Sequence, residues 1–362
     1  MNFQTKKALA IFAAGSFALA MCGCDKNSPL SAMDVHSDVA RTFYSTDVAV
    51  VNPSGGATYK VRQVASNGNL STVKYSGNLP SSYINNMATD NYFYITAQAN
   101  ANALSYSKGS LLSDFSITWN PANVSYGSGT KPWIDCKGNV VQEVHIGTNG
   151  VSYYKSGTWD SPSQSIIWKG GDNALPSLPS GWTRFGDPKI VIDNNSYYAV
   201  VAVTAVNNGS YALFTTCGRC PTGNGIITWS SWTNQFAVGG DIDNQFYFDV
   251  DLHGKILFTY YRTGSGTADR VRILTATITY STNSLSNSVV NSPASGTVNP
   301  GPIRVFLSTT FPKKFLTSNI EALPCIPTCY RGQVESWNLN SNGTISYLAG
   351  TDDIGGEKLL SY

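Results

Sequence analysis

Charged side chains are scarce in this chain of 362 residues, at 13% of the composition, and they are nearly balanced, with 24 basic and 22 acidic residues. No basic stretch is large enough to bind the phosphates of a nucleic acid, so we expect no nucleic-acid partner. Convincing helical periodicity is also rare, whereas Tyr, Ser, Thr, Asn and Gly are abundant. This composition is typical of an exported β protein.

One pattern of residues occurs twice between Pro132 and Trp229. Each copy consists of short runs of β-forming residues, separated by Gly, Asn and Asp, and ends in a Trp. Gly157 and Trp168 of the first copy recur with the same offset as Gly218 and Trp229 of the second. Repetition at this scale indicates a β-propeller, in which each repeat is a four-stranded blade.

Weaker copies of the unit lie on both sides of this pair. One runs from Asn91 to Trp119, another begins at Phe248, and a last one ends near Tyr347. Spacings of roughly 50 to 60 residues fit four short strands and their loops. We therefore predict an all-β fold: a single β-propeller of five or six four-stranded blades over residues 43–362. The first and last strands would complete one blade together.

Residues 1–23 have the features of a signal peptide. Lys6 and Lys7 form a basic start, and the apolar run from Ala8 to Met21 is too short to span a bilayer comfortably. The next residues, 24–42, are rich in Ser and Asp and show no periodicity, which predicts a flexible tether.

The segment Met21-Cys22-Gly23-Cys24-Asp25 resembles a bacterial lipoprotein signal. The resemblance implies that Cys24 is the lipidated residue, because a small side chain precedes it, whereas Cys22 follows a Met. An ordinary cleaved secretory signal is the alternative. Asp25 resembles the signal that retains a lipoprotein at the inner membrane. We therefore expect an envelope protein anchored to the membrane by its N-terminal lipid and facing the periplasm, with the outer membrane as the alternative location.

The order of an Asp-led strand, a Val-rich strand, a Tyr-x-x-Gly hairpin and a closing Trp resembles the repeats of sialidase-like (BNR-type) bacterial β-propellers. The resemblance covers about Asn91 to Tyr280. The Asp-box of that family, Ser-x-Asp-x-Gly-x-x-Trp, is not intact, since residues 215–229 supply only Gly225 and Trp229 in that relation. The resemblance implies a propeller fold and, as one alternative, a sialidase-like glycoside hydrolase.

Two sets of polar residues are candidates for chemistry. Glu143 and His145 alternate on one predicted strand and would share a face, where a carboxylate beside an imidazole could do acid–base work. Asp249, Asp251 and His253 would likewise share a face, and could ligate calcium, bind sugar hydroxyls or, through Asp251, take part in glycoside hydrolysis. The alternatives are a structural hydrogen bond for the first set and a solvated strand face for the second.

The late cysteines form two closely spaced pairs, Cys217 with Cys220 and Cys325 with Cys329. Because an exported protein folds in an oxidising compartment, we expect disulfides, either within each pair or between the two pairs. Cysteines this close in sequence can meet where a Gly or Pro turns the backbone, so we predict a local disulfide in each pair and a reduced Cys136. A zinc site built from the four thiols is the alternative.

Three tryptophans lie near predicted loops and are candidates for stacking on a ligand such as a sugar ring: Trp182, Trp229 and Trp232. No complete catalytic set is present in the sequence. We therefore expect a membrane-anchored binding module for a glycan or another envelope protein. A sialidase-like hydrolase and a structural docking subunit of an envelope machine are the alternatives.

Overall fold

The chain is built from β-strands and turns in a computed structural model. The part of the chain that it describes contains no helix, and so none that is long and apolar enough to cross a membrane. The described ranges are 47–53, 58–64, 71–81, 84–89, 93–120, 123–160, 162–193, 198–221, 223, 225–238, 242–250, 254–262, 270–291, 297–305, 313–323, 329–350 and 357–361.

The described residues form 27 strands, which confirms the all-β prediction. Those of the first half are β1 (Asp47–Pro53), β2 (Thr58–Val64), β3 (Tyr75–Asn78), β4 (Ile84–Thr89), β5 (Phe93–Asn100), β6 (Ala103–Leu111), β7 (Ile117–Trp119), β8 (Val124–Ser128), β9 (Thr130–Lys137), β10 (Val140–Ile146), β11 (Ser152–Asp160), β12 (Ser165–Trp168) and β13 (Asn173–Ala174). Those of the second half are β14 (Thr183–Arg184), β15 (Lys189–Asp193), β16 (Tyr198–Asn207), β17 (Ser210–Arg219), β18 (Thr233–Val238), β19 (Ile242–Val250), β20 (Lys255–Arg262), β21 (Arg270–Thr279), β22 (Ser284–Asn291), β23 (Thr297–Val305), β24 (Lys313–Leu323), β25 (Cys329–Leu339), β26 (Ile345–Gly350) and β27 (Glu357–Ser361).

Within the described ranges, these strands form six antiparallel sheets. Sheet I has the order β27-β1-β2-β3, sheet II is β4-β5-β6-β7 with β8 on β6, and sheet III is β9-β10-β11-β12 with β13 on β11. Sheet IV is β14-β16-β17-β18 with β15 on β16, sheet V is β19-β20-β21-β22, and sheet VI is β23-β24-β25-β26. Three sheets therefore have a fifth strand that the sequence did not predict.

The last strand of the chain completes the first sheet. Strand β27 pairs antiparallel with β1, and Asn52 lies opposite Lys358. The predicted pairing of the two ends of the folded region is therefore present. One strand from each sheet also takes part in a cycle of contacts: β4 contacts β9, β9 contacts β15, β15 contacts β19, β19 contacts β23, β23 contacts β27, and β27 contacts β4.

The hydrophobic core lies between the faces of successive sheets. One cluster joins Ile95 and Tyr106 of sheet II to Ile134 and Val141 of sheet III. The next joins the opposite face of sheet III to sheet IV, and a third joins sheet IV to Phe248 and its neighbours in sheet V. Both faces of these strands are thus covered, which is why several of them have near-continuous apolar sequences.

The Gly and Trp positions of the sequence repeat have the same role in successive sheets. Gly109 lies opposite Trp119 and Gly157 lies opposite Trp168 in regular strand pairs. Gly218 meets Trp229 in an isolated bridge. In each case the indole ring and the isoleucine two positions before the Trp lie close to the glycine, so a side chain there would collide with the isoleucine and crowd the ring.

Tyrosine hydroxyls join one sheet to the next. Tyr154 of sheet III accepts a hydrogen bond from the Ile227 amide at 2.9 Å, and Tyr106 of sheet II accepts one from the Ile166 amide at the same distance. Tyr59 accepts from the Ile117 amide at 2.7 Å. Two of these bonds start from the outer strands β7 and β12, and the third starts from the segment before Trp229; each reaches a strand of the neighbouring sheet.

The chain from Thr46 to Tyr362 forms one compact unit. The predicted signal peptide (1–23), the predicted tether (24–42) and the predicted lipidation site at Cys24 lie outside the described residues, and they stay predictions.

Candidate functional site

Glu143 and His145 lie on the same face of β10, as the alternation predicted, together with Val141. This face points toward sheet II, since Val141 packs in the cluster that joins sheets II and III. Val144 points the other way, toward sheet IV. Both polar side chains are completely buried.

Both carboxylate oxygens of Glu143 are hydrogen-bonded. Its Oε2 lies 2.9 Å from Nδ1 of His145, and its Oε1 accepts a hydrogen bond from the Tyr126 hydroxyl at 3.0 Å. Tyr126 belongs to β8, so the carboxylate joins sheet II to sheet III. A buried carboxylate needs such partners, because burying it unpaired would cost several kcal/mol.

Two more charged residues complete this cluster, which we call the Glu143 network. Asp172, in the loop before β13, has Oδ2 3.8 Å from Nε2 of His145 and Oδ1 3.1 Å from Nζ of Lys155. Lys155 lies opposite Glu143 in the β10–β11 register and donates to the carbonyl of Tyr126 at 2.7 Å. Asp172 is the most exposed of these side chains, at 33%.

Burial and mutual contact shift the pKa values within the network. Burial raises the pKa of Glu143, although hydrogen bonds from His145 and Tyr126 oppose the shift. Burial lowers the pKa of His145, but the hydrogen bond and charge of Glu143, with the charge of Asp172, outweigh it and leave that pKa raised. Burial and the neighbouring Glu143 raise the pKa of Tyr126 well above its ordinary value.

The Glu143 network can hold and share protons, but a substrate cannot reach its centre. The ring of His145 stacks on Tyr153 at 5.7 Å, and its other edge packs against Gly129. Its Nε2 has no hydrogen-bond partner among the described residues, so no hydroxyl or thiol described there is poised as a nucleophile beside it. The geometry therefore fits the alternative of a structural hydrogen-bond network.

The second predicted polar set cannot be assembled from the described residues. Asp249 is buried, and its Oδ1 accepts a hydrogen bond from the Val250 amide at 2.9 Å. Asp251 and His253 lie outside the described residues. Within the described ranges, no group of three or more His, Cys, Asp or Glu side chains could hold a metal ion.

The predicted disulfide between Cys217 and Cys220 is not formed; both are free, buried thiols. The prediction assumed a turn, but β17 continues through Arg219, and residues three apart in a strand point to opposite faces. Cys217 faces sheet V and Cys220 joins the cluster between sheets III and IV. Cys325 and the side chain of Cys329 lie outside the described residues.

Two of the three candidate tryptophans pack against neighbouring rings. Trp229 meets Tyr154 edge-on at 5.2 Å, and Trp182 meets Phe214 edge-on at 5.0 Å. Trp232 is different, because it lines an open cleft and donates its indole N–H to the carbonyl of Pro176 at 2.7 Å. Trp232 is thus the candidate tryptophan best placed to meet a ligand.

The cleft has a volume of about 170 Å³ and lies where sheets III and IV meet. Its walls include residues 150–152, residues 175–178, Arg184, Val203 and Trp232. Sequence reasoning did not single out this place, because the lining comes from a turn, a long connection and three strands, β11, β14 and β16.

Arg184 is the charged side chain of the cleft. Its Nη2 donates to the Gly150 carbonyl at 3.2 Å and its Nη1 to the Ser152 hydroxyl at 3.4 Å. Burial lowers the pKa of Arg184, and the charge of Asp187 opposes this shift. In the described part of the chain no carboxylate lies within ion-pair distance of Arg184; Asp187, whose charge acts on it from farther away, pairs with Lys131 at 3.7 Å.

No family model matches the chain, and no curated protein matches it. Solved structures with a similar backbone include a GH32 β-fructofuranosidase from Bombyx mori, which is 11% identical with a TM-score of 0.48 over 88% of this chain and 70% of that one. A protein from Lactobacillus plantarum is 8% identical with a TM-score of 0.47 over 84% and 82%. A subtype N11 neuraminidase-like protein of a flat-faced bat isolate from Peru is 10% identical with a TM-score of 0.40 over 74% and 73%. These likenesses concern the arrangement of strands alone.

Proposed function

We propose that this chain is a membrane-anchored envelope lipoprotein whose six sheets close into a β-propeller and act as a binding module. The cycle of contacts among β4, β9, β15, β19, β23 and β27 supports the closed arrangement. The segment before Cys24 supports the lipid anchor, and Asp25 supports retention at the inner membrane with the propeller in the periplasm.

The Glu143 network and the cleft differ in their access to solvent, and this difference supports binding over catalysis. The Glu143 network is sealed, with Glu143 and His145 completely buried, whereas the cleft is open and contains a half-buried Arg184. A ligand site needs a concave, accessible surface with a few oriented polar groups. The cleft meets that need and the network does not. Another envelope protein or a glycan would be the ligand.

Crosslinking in cells would test the binding role. A photoreactive residue placed at exposed Val151, on the rim of the cleft, should capture a defined envelope partner or glycan. The same residue at Ile167, which is exposed but outside the cleft, is the matched control. Equal capture from both positions, or none from either, would contradict a binding site here.

Detection of hydrolase activity would contradict the proposed binding role and favour the sialidase-like alternative. The full-length chain would be assayed against a panel of fluorogenic glycosides. Turnover that Glu143→Gln abolishes, while the folded state is retained, would show that the network opens to substrate and is catalytic.

The anchor is tested separately. Metabolic labelling with an alkynyl fatty acid should mark the wild-type chain and fail on Cys24→Ser. Labelling that persists in Cys24→Ser and is lost in Cys22→Ser would show that Cys22 is the lipidated residue.

A further inference from the structure

We infer that the cleft binds the free carboxyl terminus of a partner polypeptide whose last residue is aliphatic. The inference rests on the proposed binding function and names the ligand group. It begins from Arg184, a cation that lines the cleft and lacks a carboxylate partner among the described residues.

The guanidinium of Arg184 is held in place but not saturated. A guanidinium carries five N–H donors in a fixed planar fork. The bonds to the Gly150 carbonyl and the Ser152 hydroxyl hold one nitrogen each and leave donors available. Both acceptors are neutral, so the positive charge is not compensated by them. Because a carboxylate accepts two parallel N–H bonds from such a fork, it is the anion that fits Arg184 best.

Besides Arg184 and the polar residues Ser152 and Ser177, the cleft has an apolar wall that can take an aliphatic side chain. Leu175, Leu178, Val203 and Trp232 contribute to its walls, and the indole N–H of Trp232 is already used by Pro176. A sugar would place several hydroxyl groups against this wall, where they would find no hydrogen-bond partner, and leaving them unpaired is costly. An aliphatic side chain needs none and gains from leaving water.

The size of the cleft restricts how much of a ligand it can enclose. At about 170 Å³ it is smaller than the roughly 300–1,000 Å³ of sites that enclose a drug-sized molecule. It therefore suits one terminal residue rather than a length of extended chain. A carboxylate and an aliphatic side chain on the same residue occur together at a polypeptide's C-terminus.

The test compares two peptides that differ in one group. The probes are acetyl-Gly-Ser-Leu-Val with a free carboxyl end and the same peptide as its C-terminal amide, titrated into the full-length chain in detergent micelles. Calorimetry should show at least tenfold weaker binding for the amide. Arg184→Gln should remove this preference, and Arg184→Lys should restore only part of it, because an ammonium cannot form the fork.

Arg219→Gln is the matched control, since Arg219 is an exposed arginine outside the cleft. It should leave both affinities unchanged. Equal binding of acid and amide, or an acid preference that survives Arg184→Gln, would overturn the inference. So would binding of glucuronate in place of the peptide. If the peptide test fails but a partner is still captured at Val151, the binding function holds and only the carboxyl-terminal ligand is refuted. If no partner is captured at Val151 either, the binding function and the ligand are both refuted.

Discussion

Gly157 lies directly opposite Trp168 in the antiparallel pair β11–β12, and the indole ring covers the glycine. A Cβ at Gly157 would lie 3.0 Å from Cε3 of Trp168 and 2.6 Å from Cγ2 of Ile166. The same contact between a Gly and a Trp recurs in successive sheets, which explains why these two residues repeat in the sequence.

Replacing this glycine should therefore destabilise the fold. We expect Gly157→Ala to lower the free energy of unfolding by about 1–3 kcal/mol, because the added methyl group overpacks the strand pair. Urea denaturation followed by tryptophan fluorescence would measure the change. Gly171→Ala is the control, since no atom lies within 4 Å of its built Cβ. Equal stability of the two variants would contradict the packing argument.

Asn283 should be one of the costliest polar residues to remove. It is buried in the turn between β21 and β22 at φ 49°, and its Nδ2 donates to the Thr215 carbonyl of sheet IV at 2.7 Å. Its Oδ1 accepts from the Thr215 hydroxyl at 3.0 Å. We expect Asn283→Ala to cost about 2–4 kcal/mol, because buried partners are left unpaired and Ala disfavours a positive φ.

Asn287→Ala separates the two causes. Asn287 has φ 51° but is exposed, and no hydrogen bond of its side chain is present among the described contacts. Its replacement should cost only about 1 kcal/mol, the backbone part of the effect. Thermal or urea unfolding of both variants decides this, and similar losses would show that the inter-sheet bonds of Asn283 contribute little.

The Glu143 network should make stability depend on pH. Because the pKa of His145 is raised in the folded chain, its stabilising effect is complete below the ordinary value of 6.5 and is lost as the pH rises through the folded value. The pKa of Glu143 is also raised in the folded chain, so its contribution to stability is likewise lost as the pH rises above the ordinary value of 4.5 through the folded value. The free energy of unfolding should therefore fall as the pH rises from the acid side.

Glu143→Gln should reverse the contribution of His145. Without the carboxylate, burial is the main influence on the imidazole and lowers its pKa below 6.5, so stability would be lost as the pH falls. Urea denaturation between about pH 5 and pH 9 would show this. His145→Gln, which cannot titrate, is the control, and parallel profiles for wild type and Glu143→Gln would refute the coupling.

The thiols of Cys217 and Cys220 should be unreactive in the folded chain. Burial raises the pKa of each to about 12, so roughly one thiol in ten thousand is ionised at pH 8. Iodoacetamide should label both only after urea unfolding, as read by peptide mass mapping. A peptide with these two cysteines joined, or rapid labelling of the native chain, would contradict the structure.

The sequence allowed part of the candidate site to be predicted. Alternation placed Glu143 and His145 on one face, because side chains of a strand change face at every residue. The short turn after β10 would also have indicated Lys155 as the cross-strand neighbour of Glu143, since a hairpin sets its own register. No such local signal exists for Tyr126 and Asp172. They reach the network from another sheet and from a loop.

The sequence by itself determined the all-β class and the repeated unit, because strand periodicity and turn residues act over a few positions. The return of the last strand to the first sheet was expected only because a propeller built from such units has to close. Only the tertiary structure decided that the Glu143 network is sealed, that Cys217 and Cys220 face different neighbours, and that Arg184 lines an open cleft. Burial and long-range contacts depend on how separate sheets pack. A shift of one residue in the register of a strand would turn each of its side chains to the opposite face and so change these contacts.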